Sequence, residues 1–356
     1  MKYKTILAIL IACVVLFMSA HVYAGTGKRI ATAGAMELLI PVGARATALS
    51  GANLASVSGI EAMYWNPAGV VASDQNAEAM FSHLSWIGDI KVEYLAAVAN
   101  LGTFGAMGLS VKTLNFGEII ETTVESPDGT GATFSPNYVT LGLTYSRKMT
   151  DRIHFGANVK LVSEKIMSVT ATGVGFDFGL QYVSPVSGIK LGVVLTNFGS
   201  DMRFGGANLE TRVKLPGTEA GTTVSSVAVP VASFDLPTQL KLGISYDLKM
   251  AETNTLTLSG SFVNNAYSFD QYIVSGELKV RNMFFLRGAY ALAYREGLEG
   301  TSDGFTSASD QFLFGPSFGA GLQLGLSSTM SLSIDYAYRL TEYFSNNQWV
   351  SLVIGF

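Results

Sequence analysis

The residues best equipped for chemistry in this chain are few and scattered. Its three histidines are His21, His83 and His154. A metal centre needs several nitrogen, sulfur or carboxylate ligands converging on one point. His83 and His154 stand far apart, without carboxylates at ligand spacing around them. Gly173, Gly175 and Gly179 miss the dinucleotide-binding spacing and fall inside an alternating run, not at a strand-to-helix turn. No Gly-x-Ser-x-Gly element occurs. A barrel phospholipase would need a histidine and a serine together on its outer face, and no serine pairs with His154. The pattern points to a protein with no catalytic residues, no metal and no cofactor. What remains is a mixed-charge set: Lys160, Asp177, Glu277, Lys279, Arg281, Asp335 and Arg339. Such residues solvate an interior or bond to whatever fills it; the alternative is a polar path for a substrate.

These residues sit on strands. From Ser331 to Leu340, the side chains Leu332, Ile334, Tyr336, Tyr338 and Leu340 share one face, and Ser331, Ser333, Asp335, Ala337 and Arg339 the other. The same alternation recurs from Leu240 to Lys249, Ile153 to Leu161, Gly173 to Tyr182 and Tyr272 to Arg281. Each run reaches about ten residues, the length a tilted membrane strand needs. About fourteen such strands begin near 77, 91, 103, 137, 152, 171, 188, 236, 253, 270, 282, 311, 328 and 347. The connections check the count. The long ones, Asn115 to Pro136, Gly199 to Asp235 and Arg295 to Asp310, all fall on odd connections. Even connections such as Asn100 to Gly102, Met149 to Asp151 and Ser184 to Ser187 are short. Bacterial barrels have short periplasmic turns, long outer loops and an even strand number. The expected fold is therefore an all-β transmembrane antiparallel barrel of about 14 strands over residues 76–356, preceded by an N-terminal hatch or plug.

Composition agrees. Only 14% of residues are charged and 48% are hydrophobic, against about 25% charged in a typical soluble domain. Lys2 and Lys4, the apolar run Ile6 to Met18 and the small-residue site ending at Ala24 read as a signal peptide over residues 1–24, cleaved before Gly25. Leu10-Ile11-Ala12-Cys13 loosely matches a lipobox, but cleavage there would leave an apolar start at Val14. With the leader gone, no cysteine remains, and loss of Lys2 and Lys4 from 23 basic and 27 acidic residues leaves a net charge of −6. That balance gives no footprint for nucleic acid. The expected location is the outer membrane of a Gram-negative-type cell. The chain ends on Phe356, with Val350, Leu352 and Ile354 on the same face. A terminal aromatic of this kind suits a signal for the barrel assembly machinery.

Residues 25–75 do not alternate and are rich in Ala, Gly and Ser. Leu38 to Leu49 reads as a turn and short helix, and Asn53 to Met63 as another. The segment is either a plug in the lumen or a periplasmic appendage; a barrel this wide needs filling, which favours the plug. Arg45 is the only charge between Glu37 and Glu61. Buried, it would need an acidic partner, with Asp177, Glu277 and Asp335 as candidates. Asn66-Pro67 is a turn element, since proline biases its predecessor away from helix and Asn bonds nearby backbone.

The run Pro41-Val42-Gly43-Ala44-Arg45-Ala46, then Ala48 to Ala52 with Gly51, then Tyr64-Trp65-Asn66-Pro67-Ala68-Gly69 resembles the N-terminal hatch motif of the PorV/PorQ family of FadL-like outer-membrane barrels. Ser50 stands where that family would place a second glycine. The resemblance implies a part in type IX protein secretion, with secreted cargo proteins and other secretion-system subunits as partners besides outer-membrane lipid. The long loops would be the docking surface, including the apolar stretch Val224 to Ala232. The FadL likeness implies the alternative, a channel for fatty acids or other hydrophobic small molecules. A structural barrel with neither task is the third reading.

Overall fold

The computed structural model describes residues 33–185, 188–213, 225–295, 304–307 and 314–356. The leader, the first residues of the expected hatch and most of the Arg295 to Asp310 connection lie outside them.

Fourteen strands form the wall. They are β1 (Ala77–Ser85), β2 (Lys91–Asn100), β3 (Ala106–Asn115), β4 (Asn137–Lys148), β5 (Ile153–Ile166), β6 (Val169–Val183) and β7 (Ile189–Gly199). Then come β8 (Gln239–Lys249), β9 (Thr255–Asn265), β10 (Asp270–Val280), β11 (Phe284–Arg295), β12 (Phe314–Gly325), β13 (Ser331–Thr341) and β14 (Asn347–Gly355). Every strand pairs antiparallel with its neighbours in sequence. β1 closes on β14 in a register running from Glu78 opposite Gly355 to Ser85 opposite Gln348. Closure leaves no unpaired edge, which is the condition for placing a sheet in lipid.

Register and alternation together build the outer surface. Ile334, Leu352, Phe81, Leu95, Val111, Leu141 and Leu161 lie side by side across seven strands. All seven are exposed. An apolar belt of this kind is stable against acyl chains and unfavourable against water. One level further, the opposite face is inward: Ser82, Lys112, Asp177, Glu277, Asp335 and Ser351 are buried. The long connections fall after β3, β7 and β11, so that end is the outer one and the short turns face the periplasm.

The described part of the hatch lies inside the barrel. It runs through a 3-10 turn (Met36–Leu39), helix α1 (Ala44–Ala48), a 3-10 turn (Gly59–Glu61), helix α2 (Ala62–Trp65) and a longer 3-10 segment (Pro67–Ala72). Ala44, Ala46 and Ala48 have no exposed surface, and α1 packs on β12 and β13. The wall makes room with glycine. A Cβ on Gly156 would stand 2.2 Å from the Pro67 carbonyl carbon, and one on Gly179 2.1 Å from Asn66 Oδ1. The helix expected over Asn53 to Met63 is instead a series of turns, with helix only from Ala62. Gly59, at φ 67°, breaks it, because a left-handed residue cannot continue a right-handed helix.

Candidate functional site

The hatch motif acts as a hydrogen-bonding scaffold. Asn66 has extended backbone, and its Oδ1 accepts from Ala68 N at 3.2 Å, capping the Pro67–Ala72 segment. Its Nδ2 donates to Leu54 O at 2.8 Å. Ser146 of β4 donates to Ala68 O, and Trp349 of β14 donates to Pro41 O at 3.0 Å. Trp65 Nε1 donates to Val42 O at 3.0 Å. Gly43, at φ 80°, precedes α1 and meets Ser82 through its N–H. Gly51 lies under the Trp65 ring, and Gly69 against Val57.

Among its three candidate partners, Arg45 takes Glu277. Arg45 Nε and one terminal nitrogen meet the two Glu277 oxygens at 3.0 and 2.9 Å. Arg287 of β11 donates to Glu277 at 2.6 Å and to Asp335 at 2.5 Å. Two guanidiniums and two carboxylates thus alternate through the lumen and tie the hatch to β10, β11 and β13. Glu61 of the hatch lies close to this group, and burial, followed by the Asp335 charge, pushes it up to about 7.

The expected single set of lumen charges divides. Lys160 meets Asp177 at 2.6 Å. Asn158 donates to the same carboxylate at 3.0 Å, and the Asn197 backbone does so at 2.8 Å. This cluster supports β5, β6 and β7. Lys279 is half-buried in β10. Arg281 departs from the expected strand: it is exposed in the periplasmic turn after β10, at φ 53°. Arg339 stands apart from both clusters. Its guanidinium carbon lies 5.6 Å from the Phe314 ring centre and 5.4 Å from that of Trp349.

Lys112, buried in β3, donates to Glu37 O and Ile40 O, both at 2.6 Å. Glu37 is buried against Glu164 of β5; burial, then the Glu164 carboxyl, pushes it up to about 8. Sequence reading missed Arg287, Lys112, Glu37 and Glu164. The first was visible as the only charge from Phe284 to Tyr294; the others depend on how the hatch folds. His83 has a carboxylate neighbour after all: Glu93, across the β1–β2 register, lies 2.7 Å from Nδ1. Both point outward, where linear spacing hides the contact. Among the described residues, no group of three His, Cys, Asp or Glu side chains is placed to hold a metal.

Above the hatch lies a cavity of 750 Å³. Its floor includes Glu37, Tyr64 and Trp65, and its walls carry Trp86, Phe116, Tyr138 and Phe314. Phe116 and Tyr138 meet edge to face at 4.8 Å, and Trp86 lies 5.1 Å from Phe314. Rings so arranged present apolar faces to the space between them.

Fold and site together define an outer-membrane β-barrel, filled from its N-terminus and hollow on its outer side. No family model matches the chain, and no curated protein matches it. Its structure is similar to that of the CymD monoaromatic hydrocarbon channel, with a TM-score of 0.53 over 89% of this chain and 97% of that one, at 12% identity. It is similar also to the Pseudomonas putida toluene transporter TodX, with a TM-score of 0.51 over 86% and 96% of the two chains, at 13% identity. The shared feature at these identities is the fold alone.

Proposed function

We propose that the protein is an outer-membrane channel for hydrophobic small molecules. The observation that carries this reading is the aromatic cavity between the hatch and the outer loops. Water held against such walls is released when an apolar molecule enters, worth about 25 cal/mol per Å² of apolar surface buried. Passage inward then requires the hatch to yield in both its polar contacts and its apolar packing on the wall. The likeness in fold to CymD and TodX supports this reading over the secretion role. The chain's three tryptophans give a direct assay: Trp65 and Trp86 line the cavity, and the Trp349 ring lies 6.2 Å from that of Trp86. Titrating the purified protein in nanodiscs with propylbenzene is expected to give a saturable fluorescence change. A linear, non-saturating response would contradict the proposal.

A second reading, the PorV/PorQ type of protein secretion, keeps one observation in its favour. The outer hairpin of Glu210–Val213 and Ser225–Ala228 is followed by Val229, which is 50% exposed, with Val227 at 43%. Exposed valines on an outer loop suit a protein partner. Mild-detergent purification from the native membrane would test it: stoichiometric secreted proteins sharing one C-terminal domain would support it, and their absence would remove it.

A further inference from the structure

The cavity contains a cation whose environment no hydrocarbon would satisfy. Arg339 is 8% exposed and lines the wall. It makes no ion pair among the described residues. Among the described residues, its Nε is buried with no hydrogen-bond partner, and the one bond from its guanidinium is a long one, 3.5 Å, to Thr47 O. Beside it in register stands Asn347 of β14, fully buried, with neither side-chain polar atom partnered. Arg45 and Arg287, also in the lumen, are both matched by carboxylates. Burying a charge or an amide without a partner is unfavourable; Arg339, which lines the cavity, has donors left for an acceptor arriving there, and Asn347 lies buried directly behind it.

The surroundings define the rest of that acceptor. Phe314 and Trp349 flank the guanidinium, and the Trp86 ring packs on both of them. Phe116, Tyr138 and Tyr64 continue the apolar lining. A planar guanidinium matches a carboxylate with two parallel hydrogen bonds. Flat aromatic bodies pack on aromatic walls by offset or edge contacts that a flexible chain does not reproduce.

We propose that Arg339 and Asn347 form a head-group subsite that makes the cavity select compact aromatic monocarboxylates over neutral hydrocarbons. The proposal rests on the channel reading and narrows it. The carboxylate sits on the guanidinium with Asn347 Nδ2 as a second donor, and the ring lies among Trp86, Phe314 and Tyr64.

The test compares three ligands on the intact protein in nanodiscs, read by tryptophan fluorescence at pH 7: 4-propylbenzoate, propylbenzene and decanoate. The expected result is that 4-propylbenzoate binds at least tenfold more tightly than either other ligand, and that R339Q removes most of that advantage. N347A, a milder change, should lose a smaller part of it. Equal binding of 4-propylbenzoate and propylbenzene would overturn the subsite and leave the channel reading standing. Tighter binding of decanoate would overturn the aromatic assignment. Failure of all three to bind would overturn both readings. Lys241 also lines the cavity, so loss of the preference in K241Q but not in R339Q would overturn the subsite.

Discussion

Glu277 receives two guanidiniums, and its loss should be felt on both. With Glu277→Gln, Arg287, whose side chain is 1% exposed, keeps only Asp335. Breaking a buried pair from one side costs about 3–5 kcal/mol. Urea unfolding in detergent should show a loss of that order, and a loss near zero would mean the network holds little. Glu37 gives a prediction in pH. Its folded value, about 8, lies above the ordinary 4.5, with burial the larger cause and Glu164 the second. A raised value means that the protonated acid is the form the fold favours. The stabilisation is complete below about 4.5 and is lost as pH rises through about 8. Hydrogen exchange over residues 36–72 should therefore be faster at pH 9 than at pH 6, after correction for the intrinsic rate; E37Q should reduce the difference, and Glu61, itself raised to about 7, should account for the rest. Alternation made the inward face of Asp177, Glu277, Asp335 and Arg339 readable from sequence. Which charges meet was not readable, because Glu277 meets Arg287 in the β10–β11 register, Asp335 reaches it across β12 over Gly321, and Arg45 arrives from the hatch.

At the scale of elements, the contact between hatch and wall depends on missing side chains. Gly179→Ala would drive a Cβ into Asn66 and Pro67. The barrel should still assemble, since strand pairing is untouched, but the hatch should dock poorly. A measurable ion conductance in planar bilayers, absent in wild type, is the expected result. Gly260→Ala is the comparison: its nearest neighbour, Ile244 Cγ2, would lie at 3.8 Å, and conductance should stay at the wild-type level. If both variants behave alike, close packing at Asn66 is not what seats the hatch. The strands were legible because a lipid-facing wall imposes a strict period of two, and their starts stand within three residues of those expected. The hatch was legible only as a segment that breaks the period. Its turns answer to left-handed residues such as Gly59 and to carbonyls taken up by distant side chains such as Trp349, Tyr64 and Lys112.

For the whole molecule, closure and filling act together. β14 completes the wall, and Phe356 continues the ladder, its N–H donating to Ala77 O at 2.8 Å and its carbonyl accepting from Asn76 N at 2.8 Å. The side chain is exposed. We propose that this ring is read by the barrel assembly machinery, so Phe356→Ala should lower the amount of heat-modifiable barrel in the outer membrane with little change in the stability of what does assemble. Equal amounts would remove that role. Function is the least legible level. The hatch motif resembles one family, the folded chain is built like channels for hydrocarbons, and fold does not fix the task. The proposed function rests on the cavity, which depends on which rings the loops and hatch bring together. The most direct measurement is native mass spectrometry of the barrel released gently from its own outer membrane. The expected species is a barrel carrying a small apolar or aromatic molecule, displaced by an excess of a competing aromatic ligand. An empty cavity with a stoichiometric secreted protein bound to the loops would contradict it.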